Sequence, residues 1–199
     1  PHTTYGLLKG IRSHQVSSPS ARESVDVGRP NACNLCHLDQ TLEWTGAKLK
    51  EWHQIEEPQL NTEQKNVAAS ALWLTKGDAA QRALTAWHMG WKPAQEASGT
   101  DWMPPHLARQ LDDAYYAVRY ISARSLRGLP GYEDWKYNYV GPADSRRKAS
   151  ANARDRWVGS SRENDDKKRL LIGADGNFDE AAYSGMLRYR DNTPINMAE

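Results

Sequence analysis

The chain holds only two cysteines, and both lie in one pentapeptide, Cys33-Asn34-Leu35-Cys36-His37. Two cysteines cannot build a disulfide scaffold or a four-cysteine zinc fold. They leave one bridge, two free thiols, or one covalently held group. A thioredoxin-like redox pair needs a buried strand before it, within a βαβ setting. What precedes Cys33 is Val27-Gly28-Arg29-Pro30-Asn31-Ala32, a loop sequence. A zinc site needs a fourth ligand, usually from a second cluster, and the sequence has none. Two structural thiols would leave the adjacent His37 unexplained.

Cys-x-x-Cys-His is the attachment signature of haem c, and the spacing has a physical reason. On a helical turn, residues i and i+3 share a face and i+4 lies beside them. Cys33 and Cys36 can then form thioethers to the two vinyl groups of one porphyrin edge, while His37 approaches the iron as proximal ligand. The expected cofactor is therefore covalent haem c, held through Cys33 and Cys36. Haem attachment in bacteria takes place outside the cytoplasm, so the mature protein is expected in the periplasm or outside the cell.

The upstream residues read Pro1-His2-Thr3-Thr4-Tyr5-Gly6, then Arg12-Ser13-His14-Gln15, then Arg29-Pro30-Asn31-Ala32 before the motif. This run resembles the C-terminal portion of bacterial multihaem c-type cytochromes, which carry successive CxxCH motifs. In that family a CxxCH-Met-Pro stretch leads to a Thr-Tyr element, an Arg-x-His element and then Pro-Asn-Ala-Cys-x-x-Cys-His. The resemblance implies that Pro1 follows an upstream haem motif and that the chain is a subunit or fragment of a larger multihaem assembly. It also implies that His14 supplies a distal histidine. The departure is that this sequence holds a single CxxCH.

A c-type electron carrier takes a second axial ligand, usually His or Met. His14 is the first choice, in a polar, Ser-rich segment. His88 or Met89, between Trp87 and Trp91, are the runners-up, although a residue flanked by two Trp usually packs in a core or interface. His2 reads as a surface residue, His53 as part of an amphipathic helix, and His106 as an exposed residue at a helix start. Met103, Met186 and Met197 complete the possible donors.

The rest of the chain reads as mostly α: a c-type haem segment packed on a HEAT-like helical repeat, with long irregular loops. The boundaries are 1–55 for the haem segment, 56–130 for HEAT-like helix pairs, and 131–199 for an aromatic and basic loop with a C-terminal helix and tail. One helix is expected over 38–54, with Leu38, Thr41, Leu42, Thr45, Leu49 and Trp52 on a stripe, stopped by Pro58. A second starts at Asn61, capped with Gln64, and ends at Gly77. A third is capped by Asp78 and closed by Pro93. Another starts near Pro104-Pro105. Asp112-Asp113 caps the next, running from Ala114 to Gly128. The run Val118-Arg119 to Leu126 resembles the second helix of a HEAT repeat, and Asp113 follows Asp78 by about 35 residues, near the period of helix-pair repeats. Tyr132 to Tyr139 form an aromatic loop, and Ser145 to Trp157 a basic surface helix. Asp175 to Glu180 lacks the glycine and the final Glu of a calcium loop, so it reads as a turn into a last helix.

Composition narrows the function classes. Lys plus Arg number 26 against 25 Asp plus Glu, so nothing in the bulk charge points to nucleic acid. The run Arg146-Arg147-Lys148 reads as a solvated helix face. No stretch approaches the ~20 apolar residues of a membrane span. Three classes remain. The favoured one is an electron-transfer cytochrome docking with other redox proteins or haem subunits, with no nucleic acid and no transmembrane segment. The second is a haem enzyme or ligand sensor with an open sixth site, for which no distal acid or base can be named. The third is a helical-repeat scaffold in a redox complex.

Overall fold

The computed structural model describes residues 2–6, 8–13, 18–160 and 162–193. An antiparallel hairpin opens it, β1 (Thr4–Gly6) and β2 (Lys9–Ile11), with Tyr5 opposite Gly10. Eleven helices follow among the described residues: α1 (Ala21–Asp26), α2 (Leu42–His53), α3 (Thr62–Asn66), α4 (Ala69–Lys76), α5 (Ala79–Met89), α6 (Lys92–Ser98), α7 (Met103–Gln110), α8 (Tyr116–Arg127), α9 (Ala143–Asp155), α10 (Asn164–Arg169) and α11 (Glu180–Leu187). The mostly α architecture is therefore as expected.

Helix α5 is central. It packs against α4, α6, α8 and both strands of the hairpin. Its N-terminus is fixed by a reciprocal capping box: the Gln81 amide N–H donates to the Asp78 side chain, and the Gln81 side chain accepts from the Asp78 N–H. Two glycines permit close approaches to this helix. A Cβ on Gly10 would lie 2.9 Å from the Trp87 ring, and one on Gly90 would lie 2.5 Å from Ser125 Oγ of α8. Helix α7 packs on α4, α8 and α9, and α11 packs on α4. Pro93 and Pro104-Pro105 each sit in the first turn of a helix, where a missing N–H costs nothing.

Several local expectations are corrected. The helix expected from Asn61 to Gly77 is two helices. Its capping box at Asn61 and Gln64 is present, but Val67 is extended, with φ −115° and ψ 138°. The break lets the Ala68 N–H donate to the Arg169 carbonyl and the Ala69 N–H to the Gln40 carbonyl, tying three segments together. Pro93 begins α6; α5 has already ended at Met89. Helix α2 begins at Leu42, capped by the Thr41 side chain, and ends at left-handed Gln54, before Pro58. On its stripe Leu42, Thr45 and Leu49 are buried, but Trp52 is 57 % exposed.

Asp113 is not a helix cap. The residue preceding α8 is Tyr115, and Asp113 is instead buried between helix pairs. Its carboxylate accepts from Arg82 Nε at 2.8 Å and Nη2 at 3.2 Å, from Arg190 Nη1 at 3.1 Å, and from the Tyr115 N–H at 2.9 Å. His106, expected to be exposed, is fully buried; its Nε2 lies 2.9 Å from the Leu170 carbonyl, and the Trp102 and Phe178 rings meet it edge-on.

The main apolar core runs through α4, α5, α7 and α8, and reaches Ala153, Leu170 to Ile172 and Tyr183. The aromatic loop closes one edge: Tyr132 is buried and its hydroxyl donates to the Ala153 carbonyl at 2.9 Å. A smaller cluster joins Leu35, Leu42, Ala69, Trp73 and Leu84.

Candidate functional site

The Cys33–His37 pentapeptide forms a tight turn between α1 and α2. The His37 N–H donates to the Cys33 carbonyl at 2.7 Å, and the Cys36 N–H donates to the same oxygen at 3.1 Å. These i to i+4 and i to i+3 bonds are those of one helical turn. The turn has two sides. Asn34 and Leu35 are fully buried, and so is Leu38 just beyond it. Cys33, Cys36 and His37 are only half-buried.

Leu35 enters the small cluster and Leu38 the main core, so the turn is plugged into two apolar clusters. Asn34 locks it further. Its Oδ1 accepts from Thr45 Oγ1 at 2.7 Å and from Asn31 Nδ2 at 2.9 Å, while its Nδ2 donates to the carbonyls of Gln40 at 3.0 Å and Thr41 at 3.3 Å. Both donors and both acceptor positions of this amide are used. Distant helices pin the exit. Ser98 Oγ of α6 donates to the Cys36 carbonyl at 3.0 Å and accepts from the Leu38 N–H at 2.8 Å. Ser70 Oγ of α4 donates to the Leu38 carbonyl. Arg162 reaches Asp39 at 3.5 Å and Asp101 at 3.0 Å, and donates to the Ser98 carbonyl.

Both cysteines are free thiols. Burial pushes both thiols up from their ordinary value, so they are protonated near neutral pH. That is opposite to the lowered thiol of a thioredoxin-like pair. The preceding segment is a loop, and the described residues contain no βαβ unit. Among the described residues no group of three or more His, Cys, Asp or Glu is arranged to hold a metal ion. The His37 ring lies against Trp44 of α2, centroids 4.9 Å apart and tilted by 50°.

The donor set fits a haem c. Two thiols three residues apart and an imidazole directly after them lie on a turn closed by helical hydrogen bonds. Neither thiol is consumed by a disulfide, and the apolar side chains of the turn point into the protein rather than compete for that face.

Of the second-ligand candidates, His14 and Met197 lie outside the described residues. His88 and Met89 are fully buried. Both ring nitrogens of His88 are engaged: Nδ1 lies 2.8 Å from the Leu84 carbonyl, and Nε2 accepts from the His2 N–H at 3.2 Å. Burial lowers its pKa to about 3, so the ring is neutral. His2, expected at the surface, packs 4.3 Å from Trp87, and its Nδ1 is buried without a partner. His53 is exposed, Met103 is fully buried, and Met186 is partly buried.

Sequence reasoning missed Asn34, Ser70 and Ser98. Asn34 occupies a position that the motif leaves free. The two serines act on residues 32 and 62 positions away, which no local pattern displays. Neither a family model, nor a curated protein, nor a solved structure matches the chain.

Proposed function

We propose that this chain is a c-type cytochrome that passes electrons within a larger multihaem redox assembly. Cys33 and Cys36 would hold haem c as thioethers, and His37 would be its proximal axial ligand. Bound haem supplies a one-electron couple at its iron. The chain's own residues hold the backbone of the attachment turn in place. Asn34, Ser70 and Ser98 fix that backbone, and Leu35 and Leu38 anchor it in the core. A rigid turn limits reorganisation around the cofactor, which an electron carrier needs.

The observation that carries this reading is the pinned turn itself, with Cys33, Cys36 and His37 half-exposed and free of a disulfide. The helix arrangement supports a HEAT-like stack: α4 packs on α5, α7 on α8, α5 on α8 and α4 on α7. Two such pairs are too few to stand as a solenoid, so they are read as support for the haem segment and as a docking surface. His14 is proposed as the sixth ligand, and the site of action as the periplasm or cell exterior.

Intact-mass measurement of the protein, expressed with haem-attachment machinery and exported, tests the reading. A mass increase of one haem, lost in C33A/C36A, is expected. No increase overturns it. A low-spin spectrum in both oxidation states, unchanged by carbon monoxide, is the electron-carrier outcome; rapid carbon monoxide binding instead favours the open-site alternative. H14A is expected to turn the haem high-spin.

A further inference from the structure

The hydrogen bonds of the cysteine turn hold the backbone of His37, not its ring. The His37 N–H donates to the Cys33 carbonyl, and its own carbonyl accepts from the Gln40 N–H at 3.1 Å. A histidine that binds a metal through one ring nitrogen is ordinarily oriented by a hydrogen bond at the other. Among the described residues no group hydrogen-bonds the His37 ring. What meets it is the Trp44 ring, with centroids 4.9 Å apart and planes tilted by 50°. That separation is one of direct aromatic contact.

Trp44 can act on its neighbour because it is itself held. Its N–H donates to Thr41 Oγ1, the cap of α2, at 3.1 Å. Asn34 Nδ2 of the cysteine turn donates to the Thr41 carbonyl, and Thr45 Oγ1 donates back to Asn34 Oδ1. Leu42, Thr45 and Leu49 are buried on the inner face of α2. The bonds that pin the turn therefore also pin the first turn of α2, so His37 and Trp44 are carried together. Trp44 is half-buried, as are Cys33, Cys36 and His37. An indole packed on an imidazole limits its rotation by bulk and takes up no ring nitrogen, so a nitrogen stays open to iron.

On the haem reading proposed above, we infer that Trp44 is a positioning residue, whose ring sets the direction in which His37 presents its imidazole. Its role is steric and does not require proton transfer. The direction of an axial imidazole plane splits the iron d orbitals, so it is read in the rhombicity of the ferric electron paramagnetic resonance signal. A Trp that only covered the turn would affect stability and leave that signal alone.

The test uses the full chain, exported with haem-attachment machinery, as wild type, W44F, W44L and W44A. Intact mass first shows whether each protein carries one haem. W44A and W44L, which lack a ring, should give a shifted and broader ferric signal than wild type. W44F, which keeps a flat ring, should restore the wild-type signal. If W44A does not accumulate with haem, W44L, which keeps apolar bulk, carries the comparison. A haem-bearing W44L with the wild-type signal overturns the role of Trp44 and leaves the cytochrome reading standing. So does a W44F signal displaced as far as that of W44L. Wild-type protein without haem overturns both.

Discussion

Ser98 Oγ stands between two backbone groups of the cysteine turn, donating to the Cys36 carbonyl and accepting from the Leu38 N–H. One hydroxyl thus ties α6 to the loop that carries Cys33, Cys36 and His37. S98A removes the donor and the acceptor together and leaves the buried Leu38 N–H unsatisfied. The expected cost is about 1–3 kcal/mol in urea unfolding. S98T, which keeps the hydroxyl, should lose less. If S98A unfolds at the wild-type midpoint, the hydroxyl does not hold the turn.

The Arg82–Asp113 pair sets a second expectation. Both side chains are 0 % exposed, so each depends on the other and on its remaining bonds. D113A would leave Arg82 without a counter-charge and also release Arg190 Nη1. A loss of about 3–5 kcal/mol is expected. R82M should cost less, because Asp113 keeps Arg190 and the Tyr115 N–H. Replacing both Arg82 and Asp113 with apolar residues should recover part of the D113A loss. Chemical denaturation of the three variants checks the order, and R82M proving worse than D113A would contradict it.

Asp113 also shows how far the sequence could be read. Asp before a helical run looks like a cap, and local pattern cannot tell a cap from a buried counter-ion whose partners lie 31 and 77 residues away. The capping box at Asn61 and the cap at Asp78 are legible because each closes within four residues. The break in the expected Asn61–Gly77 helix is not visible locally, because the interruption at Val67 serves contacts from Gln40 and Arg169. At the candidate site the same division holds. The order Cys33, Cys36, His37 is written in the sequence, and so is the turn. Core packing of His88 is legible from its flanking Trp87 and Trp91, but the burial of His106 is not, because it is set by Phe178 and Leu170, far along the chain, as well as by Trp102.

His106 gives a pH dependence. Burial lowers its pKa from 6.5 to about 4, outweighing the Leu170 carbonyl bond that favours the proton. In the unfolded chain the ring titrates near its ordinary value. Between about pH 6.5 and about pH 4 the unfolded chain therefore binds a proton that the folded chain does not. Stability from this residue is fully present above pH 6.5 and falls as the pH is lowered through that window. His88 adds the same sign, since burial lowers it further. Urea midpoints measured from neutral pH down to about 5 should fall steadily, and H106Q should flatten part of the slope. A midpoint that rises on acidification would refute the assignment.

Asn34 is where motif and fold meet, and it supports the sharpest ranking. N34L keeps similar bulk but strips two donors and two acceptor positions from a fully buried site. Thr45 Oγ1 and Asn31 Nδ2 would lose their acceptor, and the Gln40 and Thr41 carbonyls would lose their donor. Each stranded buried group costs about 1–3 kcal/mol, although Asn31 Nδ2 retains its bond to Ser24 Oγ. The sum is expected near 3–5 kcal/mol after local relaxation. T45V removes one donor only and leaves the Asn34 Oδ1 bonded to Asn31, so about 1 kcal/mol is expected. N34D keeps both acceptor contacts but loses both donors and brings a carboxylate against two carbonyl oxygens, which should cost at least as much as N34L. The predicted order of stability is therefore wild type, T45V, N34L, then N34D at neutral pH. N34D should regain ground as the pH falls and its carboxyl takes up a proton, while N34L should not. Parallel urea titrations at neutral and acidic pH, each compared with wild type at the same pH, read both effects. An N34D variant whose deficit does not shrink on acidification would mean that the carboxylate escapes to water, and that the turn is looser than its hydrogen bonds imply.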